Sequence, residues 1–210
     1  MSRKPLQQVS GRPARLSRDQ ILDQAMALIA GGGGETFSLR KLAQALDTVP
    51  GNLYTYFASK EALFDAMADR ALTALDDSYD HSSDWQTEIE NWMNALRAAI
   101  RSQPALLYII GLAGSAPGAV RRIDSISRIL VAQGMTLPNA VLQAQSLLWA
   151  VMGFTMFELQ AADKKILSQL KKSGAHEDFP AVMQHLALDD LNPLWEATVS
   201  RTLLGLRGLL

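Results

Sequence analysis

The 210-residue sequence has no cysteine, which excludes disulfide cross-links and thiolate metal sites and fits a reducing compartment. Histidine is scarce: His81, His176 and His185 are scattered through polar segments, none at metal-ligand spacing with a carboxylate. There is no nucleophile elbow, and the glycine run Gly31–Gly34 lacks the lysine and preceding strand of a phosphate-binding loop. Catalysis therefore has no visible carrier, and the sequence reads as a non-enzyme without a cofactor. No segment alternates apolar and polar residues with the period of a strand. The opening MSRKPLQQVSGRPARLSR lacks the apolar core of a secretory signal. Two long uncharged runs, Ser102–Val120 and Ile129–Phe157, are interrupted by proline, glycine or amide residues. Neither offers a clean span of about 20 apolar residues. Both are expected to be buried helices of a cytoplasmic protein with no membrane partner.

What is present is an ordinary globular composition, 48% hydrophobic and 20% charged. The net charge of −1 conceals an asymmetry. Met1–Lys60 holds 8 Lys/Arg against 4 Asp/Glu, whereas the remainder holds 12 against 17. A basic front on an acidic body suggests that the front faces a polyanion. Arg3, Lys4, Arg12, Arg15 and Arg18 precede any acid, so residues 1–15 read as a basic flexible arm that adds phosphate attraction and a minor-groove contact.

Helical periodicity dominates the rest. Ser17 and Gln20 form a capping-box start, and Ile21, Leu22, Ala25, Met26 and Ile29 make one apolar stripe that the four glycines end. Ser38 is a second N-cap candidate ahead of Leu39, Leu42, Ala43 and Leu46. In VPGNLYTYFASK, Val49–Lys60, Pro50 suits a first helical turn while Leu53 and Phe57 share an inward face. Ser59 then caps a helix with the stripe Leu63, Phe64, Met67, Ala71, Leu72 and Leu75. The polar YDHSS, Tyr79–Ser83, marks a boundary between lobes. Further helices are expected near Trp85–Ser102, Pro104–Gly111, Ala119–Gln133, Pro138–Gln160 and Pro193–Leu210, the last capped by Asn192. Ala161–Ala187 reads as a loop with helical fragments.

Two short helices, the second held down by Leu53 and Phe57, make a helix-turn-helix candidate, a unit whose second helix enters the major groove by its N-terminal residues. Gly51 and Asn52 let the backbone approach base edges. Tyr54, Tyr56 and Lys60 supply donors to phosphates, and Ser38 and Arg40 add donors at a helix start that already favours an anion.

The strings FSLRKLAQAL and VPGNLYTYFASKEALFDAM resemble the DNA-binding domain of the TetR family of bacterial transcriptional repressors over roughly Ser17–Leu75. The resemblance implies phosphate contacts from Ser38, Arg40, Tyr54 and Lys60, and base or groove contacts from Lys41, Gly51, Asn52 and Tyr56. Two positions depart from the family pattern. Asp47 stands where a turn glycine is common, and Asp tolerates a left-handed conformation better than most residues. Val49 stands where Ser or Thr is favoured, with Thr48 the substitute cap one position earlier.

Beyond the front, Ser146–Leu159 is apolar nearly all round, so one side faces a partner subunit across Ala150, Gly153 and Phe157. The last helix offers a second stripe, Trp195, Val199, Leu203 and Leu206, and the resemblance implies a four-helix dimer interface built from both. Trp92, Leu96, Leu107, Ile110, Trp149, Met152 and Met156, with Met93 and Tyr108, are either plain core or the lining of a cavity for an apolar or aromatic effector. Arg97, Arg101 and Arg128 leave a carboxylate ligand open.

The expected fold is all-α: the arm 1–15, a three-helix helix-turn-helix domain at 16–60 continuing into a linker helix at 60–78, and a larger helical effector-binding and dimerisation domain at 79–210. The expected function is a ligand-responsive repressor that binds a palindromic double-stranded DNA operator as a homodimer and is released by a small-molecule effector. The alternatives are an architectural or cell-division DNA-binding factor without an effector, and a helical carrier of hydrophobic ligands.

Overall fold

The computed structural model describes residues 16–76, 80–112, 117–162, 172 and 190–210. The basic arm and most of Ala161–Ala187, with His176 and His185, lie outside the described residues. The helices are α1 (Arg18–Gly32), α2 (Leu39–Ala45), α3 (Pro50–Leu53), α4 (Lys60–Asp76), α5 (Trp85–Ser102), α6 (Ala105–Leu112), α7 (Pro117–Ala132), α8 (Leu137–Ala162) and α9 (Asn192–Arg207). No strand occurs among the described residues, so the fold is all-α.

Side-chain caps set the starts of α1, α2, α4 and α5. Ser17 Oγ accepts from the Gln20 N–H at 3.1 Å while Gln20 Oε1 accepts from the Ser17 N–H at 2.9 Å, the reciprocal capping box. Ser59 Oγ accepts from Ala62 N–H at 3.1 Å, and Asp84 Oδ2 from Thr87 N–H at 2.9 Å. Asn192 differs from expectation: it is the first residue of α9, Leu191 holds the cap position, and Asp190 Oδ1 accepts the Asn192 N–H at 3.0 Å.

Helix α4 connects the two ends of the molecule. Leu63, Phe64 and Met67 are buried near its start and Leu72 and Leu75 near its end. Its contacts reach α1 on one side and α5, α6 and α7 on the other. Phe64 sits edge-on to Phe37 at 5.4 Å and to Tyr108 of α6 at 5.8 Å, so three rings in series join the front domain to the body. The glycine run finds a reason here. Gly33 ends α1 with φ 76°. Gly34 lies flat against the Tyr108 ring, where an added Cβ would fall 2.1 Å from the nearest ring carbon.

Helix α9 is locked into the body by polar contacts. Arg97 donates to Glu158 at 2.9 and 2.7 Å and to Asn192 Oδ1 at 2.9 Å, binding α5, α8 and α9 together. Trp195 packs on Phe154 with centroids 5.0 Å apart and ring planes tilted by 56°, and it donates its Nε1–H to Asn94 Oδ1 at 2.7 Å. Trp195, Val199, Leu203 and Leu206 are consequently buried in their own protomer, which corrects the expectation that they face a partner. Arg97 and Arg101 both pair with Glu158, and Arg128 pairs with Asp124.

The proposed cavity lining also separates. Trp92, Leu96, Ile110 and Met152 are buried and Leu107 half-buried, but Trp149 is 61% exposed and Met156 49% exposed on the outer face of α8, pointing away from the core. Trp92 is the exception among core residues, because its Nε1–H is buried with no acceptor, an omission that costs about 1–3 kcal/mol. Helix α8 is long and apolar enough to cross a membrane by length and composition, with 33% of its most apolar window buried.

The glycines make the packing testable. Gly34→Ala is expected to destabilise the fold by about 1–3 kcal/mol through overpacking on Tyr108. Gly31→Ala, in an open exposed position of α1, is expected to stabilise by about 0.5–1 kcal/mol. Chemical denaturation of both variants checks the contrast.

Candidate nucleic-acid interface

Helices α2 and α3 are joined by a turn whose backbone closes in a Schellman pattern. Thr48 N–H donates to Ala43 O at 2.9 Å and Asp47 N–H to Gln44 O at 3.2 Å. Asp47 occupies the left-handed position with φ 49°, so Asp fills the place usually given to glycine. Pro50 opens α3, and Leu53 and Phe57, 2% and 4% exposed, clamp it to the core. The Thr48 cap does not form: α3 has no side-chain cap, and Thr48 Oγ1 instead accepts from Asn52 Nδ2 at 3.0 Å. Val49 holds the cap position in extended conformation.

This clamp turns the start of α3 outward. Pro50, Gly51 and Asn52 are exposed, and a Cβ at Gly51 would meet nothing within 4 Å. Arg40 is exposed on α2 and Tyr54 is 54% exposed after α3; neither has a hydrogen-bond or ionic partner among the described residues. Arg40, Gln44, Thr48 and Pro50 line one open depression between the two helices. Ser38 Oγ caps α2, accepting from the Lys41 N–H at 3.2 Å, while Lys41 Nζ donates to Thr36 O at 2.9 Å. Lys60 Nζ lies 5.7 and 5.6 Å from the Phe37 and Phe64 ring centroids, with its stem packed on the aromatic junction. Hydrogen bonds from its own backbone N–H and from Ser59 hold the neighbouring Glu61 carboxyl below its usual range, so Lys60 sits beside a fixed negative charge.

Tyr56 is placed differently from an open groove reader. It is half-buried, and its hydroxyl donates to the Leu16 carbonyl at 2.5 Å. Arg18 completes the brace, donating to Tyr56 O at 2.5 Å with its guanidinium 4.3 Å from the Phe57 ring centroid. By position Arg18 reads with the phosphate-seeking basic residues of the N-terminus; only the tertiary approach of α1 to the end of α3 reveals its bracing contact.

Residues 21–67 match the family model of bacterial regulatory proteins of the tetR family. A possible TetR family transcriptional regulator from Streptomyces coelicolor A3(2) superposes with a TM-score of 0.76 at 26% identity, covering 92% of this chain and 100% of that one. Residues 21–67 carry the DNA-binding domain of the TetR family. The class D tetracycline repressor of Escherichia coli is 28% identical over 177 residues, covering 80% of this chain and 73% of that repressor. BioQ in complex with its double-stranded DNA operator superposes with a TM-score of 0.62 at 26% identity, over 76% of this chain and 98% of that one. This front domain marks the chain as a DNA-binding transcriptional regulator, with its helix-turn-helix in α2 and α3.

The Asp47 turn yields a direct test. Asp47→Gly is expected to retain wild-type stability to within about 1 kcal/mol, whereas Asp47→Val should lose about 1–2 kcal/mol because a β-branched residue resists the left-handed position. Thermal unfolding of the two variants measures the difference.

Proposed function

We propose that the protein is a cytoplasmic, homodimeric, effector-responsive repressor that occludes a promoter by binding a palindromic operator. The observation that carries this reading is the exposed, unpartnered pair Arg40 and Tyr54 flanking the open backbone at Gly51. Exposed donors on either side of a helix start match phosphate-contacting groups, and a backbone without side-chain cover can approach base edges. Arg40, Tyr54, Ser38 and Lys60 hold phosphates; Lys41, Gly51 and Asn52 face the groove. Tyr56, tied to Leu16, acts first as the strut that fixes their spacing.

The dimer rests on α8. Leu142, Trp149 and Met156, 58%, 61% and 49% exposed, recur every seven residues, and half-buried Ala150, exposed Gly153 and Phe157, 38% exposed, run beside them at spacings of three and four. An apolar stripe of this kind calls for a partner surface, and a second copy related by two-fold symmetry supplies one. Leu204 of α9, 62% exposed, offers an apolar surface on the last helix in place of Trp195 and its buried neighbours. The symmetry places two copies of α3 about 34–36 Å apart, one DNA turn. An effector enclosed by α4, α5, α7 and α8 alters that spacing by preferring one conformation of the body. A second reading, a DNA-binding factor with no effector, is favoured by the tight packing between α4, α5, α7 and α8, where the void lined by described residues is about 10 Å3.

Binding of the full chain to DNA flanking its own gene, measured across a salt series, tests the DNA reading. Arg40→Ala is expected to weaken binding about tenfold and reduce the salt slope by about one ion. Tyr54→Phe should weaken it less, and deleting residues 1–15 should flatten the slope further. Weak binding indifferent to sequence and to both substitutions contradicts it. For the dimer, Trp149→Glu with Phe157→Glu is expected to yield a folded monomer by analytical ultracentrifugation; a persistent dimer refutes the α8 interface.

A further inference from the structure

The body contains two buried donors that meet at one place. Trp92 of α5 is 1% exposed, with an unpartnered Nε1–H. Arg122 of α7 is 8% exposed, and its guanidinium carbon lies 6.0 Å from the Trp92 ring centroid. Both line the closed void with Leu72 of α4, Ile123 and Ile126 of α7, and Ala144 and Leu148 of α8. Every other described residue of the wall is apolar. Burial lowers the Arg122 pKa from its ordinary value, a mark of a cation held where charge is poorly solvated.

Arg122 pairs with the carboxylate of Asp76, the last residue of α4, among its contacts. The Asp76 side chain is 44% exposed and that of Arg122 only 8%, but Asp76 Oδ1, the oxygen facing Arg122, is buried, so water meets the outer side of the carboxylate and not the ion pair. A chamber with apolar walls, a buried guanidinium and a spare N–H donor matches a carboxylate on an apolar body. Guanidinium prefers the two-oxygen geometry of a carboxylate, and the indole N–H needs an acceptor.

We propose that this chamber receives a small apolar carboxylate, which takes the Arg122 guanidinium from Asp76 and accepts the Trp92 Nε1 hydrogen bond. The inference rests on the effector reading above and names its ligand class. The void has room for about one water, so the body of the ligand fits only when α4 moves away from α7. The Asp76–Arg122 pair opposes that movement, and an incoming carboxylate removes the opposition as it binds. Because α4 also carries Phe64, docked on Phe37, the exchange acts on the element that holds the DNA-reading domain.

Benzoate and its neutral counterpart benzamide test the exchange by thermal unfolding of the full chain at constant ionic strength. Benzoate is expected to raise the wild-type midpoint saturably and benzamide to leave it unchanged. Removing the competitor in Asp76→Ala should tighten the apparent benzoate affinity about tenfold. Trp92→Phe, which keeps an aromatic ring and loses the donor, should weaken it several-fold, and Asp76→Ala combined with Arg122→Met should abolish the response. Should Asp76→Ala fail to fold, Asp76→Asn makes the same comparison. Equal responses to benzoate and benzamide, a response that survives without Arg122, or no response in any variant overturns the inference; the last means that the void holds water only. DNA affinity separates the two readings. Benzoate binding that follows this pattern without changing DNA affinity keeps the carboxylate chamber and removes the effector reading. Release from DNA by a neutral compound independent of Arg122 keeps the effector reading and overturns the chamber.

Discussion

Helix α4 has to complete two cores with one set of side chains. Its first half supplies Leu63, Phe64 and Met67, and its second half Leu72 and Leu75. The rings of Phe37, Phe64 and Tyr108, spaced at 5.4 and 5.8 Å, tie those halves to the short turn before α2 and to α6. Shape fixes this junction as much as hydrophobicity, because the Gly34 backbone fits only where no Cβ displaces the Tyr108 ring. A shift of α6 or of the end of α4 is therefore felt at the front of the molecule.

The same economy governs the DNA-reading end. Leu53 and Phe57 are buried so that Gly51, Asn52 and Tyr54 are exposed. Tyr56 and Arg18 brace the far end of α3 through contacts with Leu16 and Phe57. A helix of only Pro50–Leu53 has little stability of its own, so its orientation comes from these clamps and from the Asp47 turn. Rigid support for a few outward groups is what recognition of a duplex requires.

Local signals were legible in the sequence. The Ser17–Gln20 box, the Ser59 cap and the bounds of α5 each depend on residues a few positions apart, and each stands where its spacing predicts. The left-handed Asp47 was legible for the same reason. Thr48 was not: its hydroxyl had two partners within reach, a backbone N–H or the Asn52 amide, and spacing alone does not choose. The facing of α9 was lost because an apolar stripe looks the same against its own core or a partner's; Asn94, 101 positions before Trp195, decides it. Trp149 and Met156 share a helix with buried Met152, yet point outward. Arg122 carried no local mark, since its importance arises from Trp92 and Asp76 on other helices.

In the proposed repressor, α2 and α3 read DNA as a symmetric pair. The most direct measurement is selection of the full-length protein against a random-sequence duplex library, followed by sequencing of the bound fraction. The expected result is one enriched inverted repeat with half-site centres a whole number of helical turns apart, about 10–10.5 base pairs each. A bound pool with no enriched sequence, or with a single unrepeated half-site, would contradict the paired reading.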